Sequence, residues 1–178
     1  MKLLAAIVLV LVGIFGIQFY RSQRQTQSGF TVTYNHFSDG QLVETFTHAV
    51  KASGEWLEVH QLSTGATKQV AGTAKYGVVA VKPDKLIRLS GFSGEIPTEQ
   101  QLKAKDFVET TRFLGYRVIV TKSCPTPETC QTLWRAPQLR GAILKALRSD
   151  DEVVATGVVK GEPEFTVPDL PVEGRPKP

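Results

Sequence analysis

From Phe30 onward apolar and polar residues alternate with a period of two, in runs rich in Val, Thr, Ile, Phe and Tyr. Such alternation sends successive side chains to opposite faces and cannot sit on a helix of 3.6 residues per turn, so it commits the chain to strands. Residues 30–37 form the first predicted strand. Asp39-Gly40 follows, a pair suited to the two positive-φ positions of a type I′ hairpin. A second strand covers 42–52, Ser53-Gly54 makes the next turn, and a third strand covers 55–63. Further strands are expected over 67–72, 76–81 and 86–89. Short, evenly spaced segments with tight connections read as an antiparallel meander.

Two helices are predicted to interrupt the strands. Thr98 and Gln101 have the spacing of a capping box, with Ala104, Phe107, Val108 and Thr111 on one face beyond it. Pro137 suits the first turn of a second helix, whose apolar stripe is Leu139, Ile143, Ala146 and Leu147. Strands follow each helix, over 116–122 and 152–160. Five of the ten prolines fall in the last 16 residues, and such a segment cannot sit in a central strand, so the tail is expected to be extended or disordered.

The N-terminus has a different character. Leu3 to Tyr20 carries no charge over 18 residues; as a helix it spans about 27 Å, close to a hydrocarbon core of about 30 Å. It exceeds the ~7–15-residue apolar core of a cleavable signal and ends in Gln18-Phe19-Tyr20 before Arg21, without an Ala-x-Ala-like site. An uncleaved transmembrane anchor is the expectation, with a cleaved signal as the alternative. Lys2, Arg21 and Arg24 lie in this region, which leaves 18 basic against 17 acidic residues beyond it. A nearly neutral folded part excludes the concentrated basic face that nucleic-acid binding needs. Lys2 against Arg21 and Arg24 barely sets orientation. The cysteine pair and the strand-rich domain point to the extracytoplasmic, periplasmic side.

Chemistry-bearing motifs are scarce. His36, His48 and His60 recur at 12-residue intervals. With two-residue turns at Asp39-Gly40 and Ser53-Gly54, His36 faces Val43, His48 faces Val59 and His60 faces Thr47. His48 and His60 then lie on opposite faces, and His36 stands more than ~10 Å from His60, too far for one metal ion. No metal site or cofactor is expected. Cys124 and Cys130 bracket a Pro-containing loop and are expected to form a small disulfide outside the cytoplasm, or to remain free thiols inside it. Gly91-Phe92-Ser93-Gly94 lacks the last glycine of a nucleophile elbow, no Ser-x-x-Lys occurs, and no Gly-Lys pair marks a P-loop. Asp150-Asp151-Glu152 reads as a solvated turn, and the chain is not expected to be an enzyme. The same registers place Phe37, Leu42, Phe46, Val50, Leu57 and Val59 on one face and Val32, Tyr34, Val43, Trp56 and Leu62 on the other. A sheet apolar on both faces is either covered on both sides or lines a cavity.

Leu114-Gly115-Tyr116, Thr132-Leu133-Trp134 with Ala136-Pro137-Gln138-Leu139, and Phe165-Thr166-Val167-Pro168 give the second half a resemblance to the lipoprotein-carrier-like superfamily, the LolA-like half-barrels of the periplasm. It covers about residues 106–168. The resemblance implies a curved antiparallel sheet wrapped around helices and a concave face that takes acyl chains. The expected architecture is therefore mainly β (α+β): a half-barrel with two helices, preceded by one transmembrane helix. Its parts are an anchor at 1–27, an extracytoplasmic domain at 28–168 and a proline-rich tail at 169–178. The expected function is non-enzymatic binding of a hydrophobic ligand (a lipid or lipoprotein acyl chain) or of an envelope partner. Phe46, Trp56, Leu57 and Trp134 are the expected lining. The alternative is a structural or interaction module without a ligand cavity.

Overall fold

The computed structural model describes residues 28–89, 98–104, 106–126 and 129–174. The expected anchor, Leu3 to Tyr20, and the Gly91–Gly94 segment lie outside the described residues, among which no helix is long and apolar enough to cross a membrane.

Among the described residues, twelve strands form one sheet, and its topology is two meanders joined edge to edge. The first comprises β1 (Phe30–Ser38), β2 (Gln41–Val50), β3 (Trp56–Leu62), β4 (Thr67–Thr73), β5 (Gly77–Val81) and β6 (Leu86–Arg88). The second comprises β7 (Phe107–Phe113), β8 (Tyr116–Ser123), β9 (Gln131–Ala136), β10 (Ala142–Arg148) and β11 (Asp151–Lys160). The N-terminal strand β1 pairs antiparallel with β11 and so welds the two halves. A short β12 (Val172–Glu173) lies parallel to β6 at one edge, and β7 forms the other. The expected curved antiparallel sheet is present, and every pairing except β12–β6 is antiparallel.

The hairpin signal at Asp39-Gly40 acts as expected: both residues have positive φ, 51° and 72°. The registers differ from those predicted, and the reason is local. A bulge between His36 and Phe37 shifts β1 by one residue, so that His36 faces Glu44 rather than Val43. The β2–β3 connection holds five residues, not two. Lys51 N–H donates to Glu55 O at 2.8 Å, Gly54 N–H donates to Lys51 O at 2.9 Å, and the strands resume at Val50 opposite Trp56. A one-residue slip moves a strand's side chains to the other face. Tyr34, Phe46 and His60 therefore share a face, as do Phe30, Val50 and Trp56, whereas Leu57 faces the opposite side.

Only one of the two expected helices forms as an α-helix. Thr98 and Gln101 make the reciprocal capping box, with Thr98 N–H donating to Gln101 Oε1 (2.7 Å) and Gln101 N–H donating to Thr98 Oγ1 (3.2 Å). The helix they start, α1 (Glu99–Ala104), is six residues long, and Phe107, Val108 and Thr111 belong to β7 instead. The second helix is absent. Pro137–Leu139 makes one 3-10 turn, and Arg140 and Gly141 then take left-handed φ values of 54° and 73°, which no helix can continue through. Ile143, Ala146 and Leu147 lie on β10, where pairing with β9 and β11 overrides their helical spacing.

Two apolar clusters hold the sheet. The larger contains Phe30, Val32, Tyr34, Val50, Leu139, Leu144 and Ala155, with Val32 and Leu144 fully buried. The smaller contains Ala71, Val79 and Leu86, packed by Leu57 and Tyr76 and by Val167, Leu170 and Val172 of the C-terminal segment. The described part of the proline-rich stretch thus lies against the sheet and ends in the edge strand β12. The Asp169 carboxylate accepts from Lys75 Nζ at 3.0 Å and from the Tyr76 hydroxyl, and Lys85 Nζ lies 3.1 Å from Glu173. Each fully buried Leu or Val contributes about 1.5–3 kcal/mol relative to exposure.

Candidate functional site: an apolar cleft with a histidine–glutamate wall

The face shared by Phe30, Tyr34, Phe46, Val50 and Trp56 lines an open cleft of about 780 Å³. Leu139, Ile143, Ala146 and Val153 line it from the second meander. The β2–β3 loop at Ser53, Gly54 and Glu55 and the turn at Leu139, Arg140 and Gly141 also line it. Arg140 ties these together by donating to Lys51 O (3.3 Å) and Ala52 O (2.6 Å). Gly72 is required beneath Trp56, because a β-carbon there would collide with the indole.

The four expected lining residues do not come together. Phe46 and Trp56 are in the cleft. Leu57 packs in the smaller cluster on the opposite face. Trp134 packs against the larger cluster, with Lys145 Nζ 5.6 Å from its ring centroid. Its neighbour along β9, Arg135, lines the cleft in its place. The alternation Leu133-Trp134-Arg135 carried that signal, since adjacent strand residues must face opposite ways.

All three histidines share this face, contrary to the expected registers, and two glutamates join them in a row. His36 Nδ1 lies 3.0 Å from Glu44 Oε1, and Glu44 Oε2 lies 3.3 Å from His60 Nδ1. His60 Nε2 lies 3.4 Å from Glu58 Oε2, and Glu58 Oε1 lies 2.9 Å from His48 Nδ1. His36 Nε2 also lies 3.7 Å from Asp151. Both ring nitrogens of His60 meet carboxylate oxygens, and a carboxylate only accepts, so full bonding requires the imidazolium. The hydrogen bond to Glu58 raises the His60 pKa against the opposing effect of burial, and the Glu44 charge adds to the rise. Burial pushes the Glu58 carboxyl up, but hydrogen bonds from His48 and His60 and their charges together outweigh it and hold it at about 2. Burial raises the Tyr34 hydroxyl well above the usual phenol range, helped by the Glu58 charge. The row alternates base and acid rather than converging on a point. Among the described residues, no three His, Cys, Asp or Glu side chains are placed to hold a metal ion.

Aromatic stacking joins the row to the cleft. Tyr34 stacks on Phe46 at 4.6 Å and Phe46 on His60 at 4.7 Å, both nearly parallel, while His48 tilts against Trp56 at 5.5 Å. His48 and Glu58 line the cleft themselves. Away from it, Cys124 and Cys130 are joined by a disulfide.

Fold and site together define a single curved antiparallel sheet with an apolar cleft on one face. No family model matches the chain, and no curated protein is significantly similar to it in sequence. Among solved structures it is similar to MucB, at 14% identity over 82% of this chain and 60% of that one, with a TM-score of 0.47. It is also similar to the complex of Pseudomonas aeruginosa MucA and MucB, at 17% identity over 81% and 56% with a TM-score of 0.49. A further structure of MucB, in complex with MucA(peri), gives 17% identity over 83% and 56% with a TM-score of 0.47. The chain spans less than two thirds of the length of each of these structures.

Proposed function

We propose that this chain is a membrane-tethered, extracytoplasmic binding domain without catalytic activity, which holds a hydrophobic ligand, a lipid or lipoprotein acyl chain, in its cleft. The observation that carries this reading is the ~780 Å³ cleft lined by Phe30, Phe46, Val50, Trp56, Leu139 and Ile143. Its size falls within the ~300–1,000 Å³ of ordinary ligand sites, and an apolar concavity with a few polar groups is their usual form. A structural module would fill this space with side chains, as the larger cluster does around Val32 and Leu144. Affinity in such a cleft comes from buried apolar area, at about 25 cal/mol per Å² before the costs of association.

Export is supported by the Cys124–Cys130 disulfide, because such bonds persist in oxidising compartments. Tethering is supported by the 18 uncharged residues from Leu3 to Tyr20. A lipidated envelope protein would use the same cleft through its acyl chain. Mass spectrometry of lipids co-purifying with the full chain tests the reading. A stoichiometric lipid is the expected result; protein free of lipid under mild extraction counts against it.

A further inference from the structure

Arg135 lines the cleft as a cation that no carboxylate among the described residues pairs. Glu58 is bonded to His48 and His60, and Arg140 donates to two main-chain carbonyls. Glu55, on the β2–β3 loop, also lines the cleft. Arg135 differs: it rises from the middle of the sheet on β9, between Ile119 of β8 and Ile143 of β10, and lines the cleft half-buried. Its protein hydrogen bond is from Nη1 to Gly141 O, at a long 3.4 Å. That leaves most of its five N–H donors unused.

A guanidinium withdrawn from water without a carboxylate is costly, and the cost is recovered when an anion arrives. Burial alone lowers the Arg135 pKa, and no acidic group acts on it in the opposite direction. Its planar fork matches the two oxygens of a carboxylate or phosphate better than an ammonium would. The apolar wall of Phe46, Trp56 and Val50 shares the cleft with this fork. Resting on the proposal that the cleft takes an apolar chain, we infer that its ligand is a single-chain amphiphile with one acidic head group, carboxylate or phosphate, bound by Arg135.

The test uses the full chain in nanodiscs of neutral lipid. It is titrated with one fluorescent acyl chain made in three forms, ending in carboxylate, phosphate or hydroxyl. Wild type should bind both acids at least tenfold more tightly than the alcohol, and the tighter acid identifies the head group. Arg135→Met should bring both acids to the alcohol's affinity, while Arg135→Lys should retain part of the preference. Inorganic phosphate at millimolar concentration should not displace the acids; displacement would assign Arg135 to a free anion and overturn the inference. Equal binding of alcohol and acids by wild type also overturns it while leaving the apolar cleft intact. An equal loss of all three probes in Arg135→Met and Arg135→Lys would reduce Arg135 to a structural part of the β9–β10 connection. If wild type binds none of the probes, the proposed function itself fails.

Discussion

Replacing Glu58 by Gln removes the central acceptor of the histidine–glutamate row while keeping its shape. The fall of the Glu58 pKa from 4.5 to about 2 corresponds to roughly 3 kcal/mol, at about 1.36 kcal/mol per pH unit. The side chain is 28% exposed, so solvent screens little of this. The sign follows from linkage. A depressed carboxyl stabilises the fold fully above about pH 4.5 and loses that contribution as pH falls towards 2. His60 has a raised pKa, so its share is complete below about 6.5 and is lost as pH rises through the folded value. Both contributions are present together between about pH 4.5 and 6.5. In that window Glu58→Gln should lower Tm by roughly 6–12 °C, taking about 2–4 °C per kcal/mol. The gap between wild type and variant should shrink to about half by pH 3 and should also narrow above pH 7. Differential scanning fluorimetry of both proteins from pH 3 to 9 measures it. A gap that stays constant across this range, or is wider at pH 8 than at 5.5, refutes the assignment of His60 as a charged partner of Glu58.

Gly72→Ala should cost about 1–3 kcal/mol in urea denaturation and shift Trp56 emission, because the new methyl displaces the indole; an unchanged spectrum and midpoint would contradict the packing. Leu86→Ala, in the cluster under the C-terminal segment, should cost about 2–5 kcal/mol and increase proteolytic cleavage near Leu170. Cys124 and Cys130 should resist alkylation in protein taken directly from cells, and replacing both by Ser should cost about 2 kcal/mol for so short a loop; labelled thiols without reduction would argue against export. N-terminal sequencing of the membrane fraction should find the chain uncleaved, and a mature end near Ser28 would remove the tether.

The strands of the first meander were legible because their alternation and turn residues agree, as at Asp39-Gly40 with its two positive-φ residues. The face each side chain takes was not legible. It depends on a bulge beside His36 and on a five-residue connection after Val50, and neither leaves a mark in the alternation itself. That one-residue difference hid the alignment of His36, His48 and His60 with Glu44 and Glu58, although all five types were visible at their positions. It also separated Phe46 from Leu57 and joined it to Trp56. The stripe from Leu139 to Leu147 has helical spacing, but two neighbouring strands supply β10 with backbone partners that an isolated segment lacks. Arg135 was hidden because only the strand register decides which of Trp134 and Arg135 turns towards the cleft.

The two tryptophans offer the most direct test of the cleft, since Trp56 lines it and Trp134 lies outside it. Each is isolated in turn as Trp134→Phe and Trp56→Phe, and the full chain is titrated with a fatty acid brominated along its tail, which quenches indoles it touches. A ligand held in the cleft quenches Trp56 saturably and leaves Trp134 unaffected. Equal quenching of both, or none of Trp56 in folded protein, would contradict the claim that an apolar chain occupies this face.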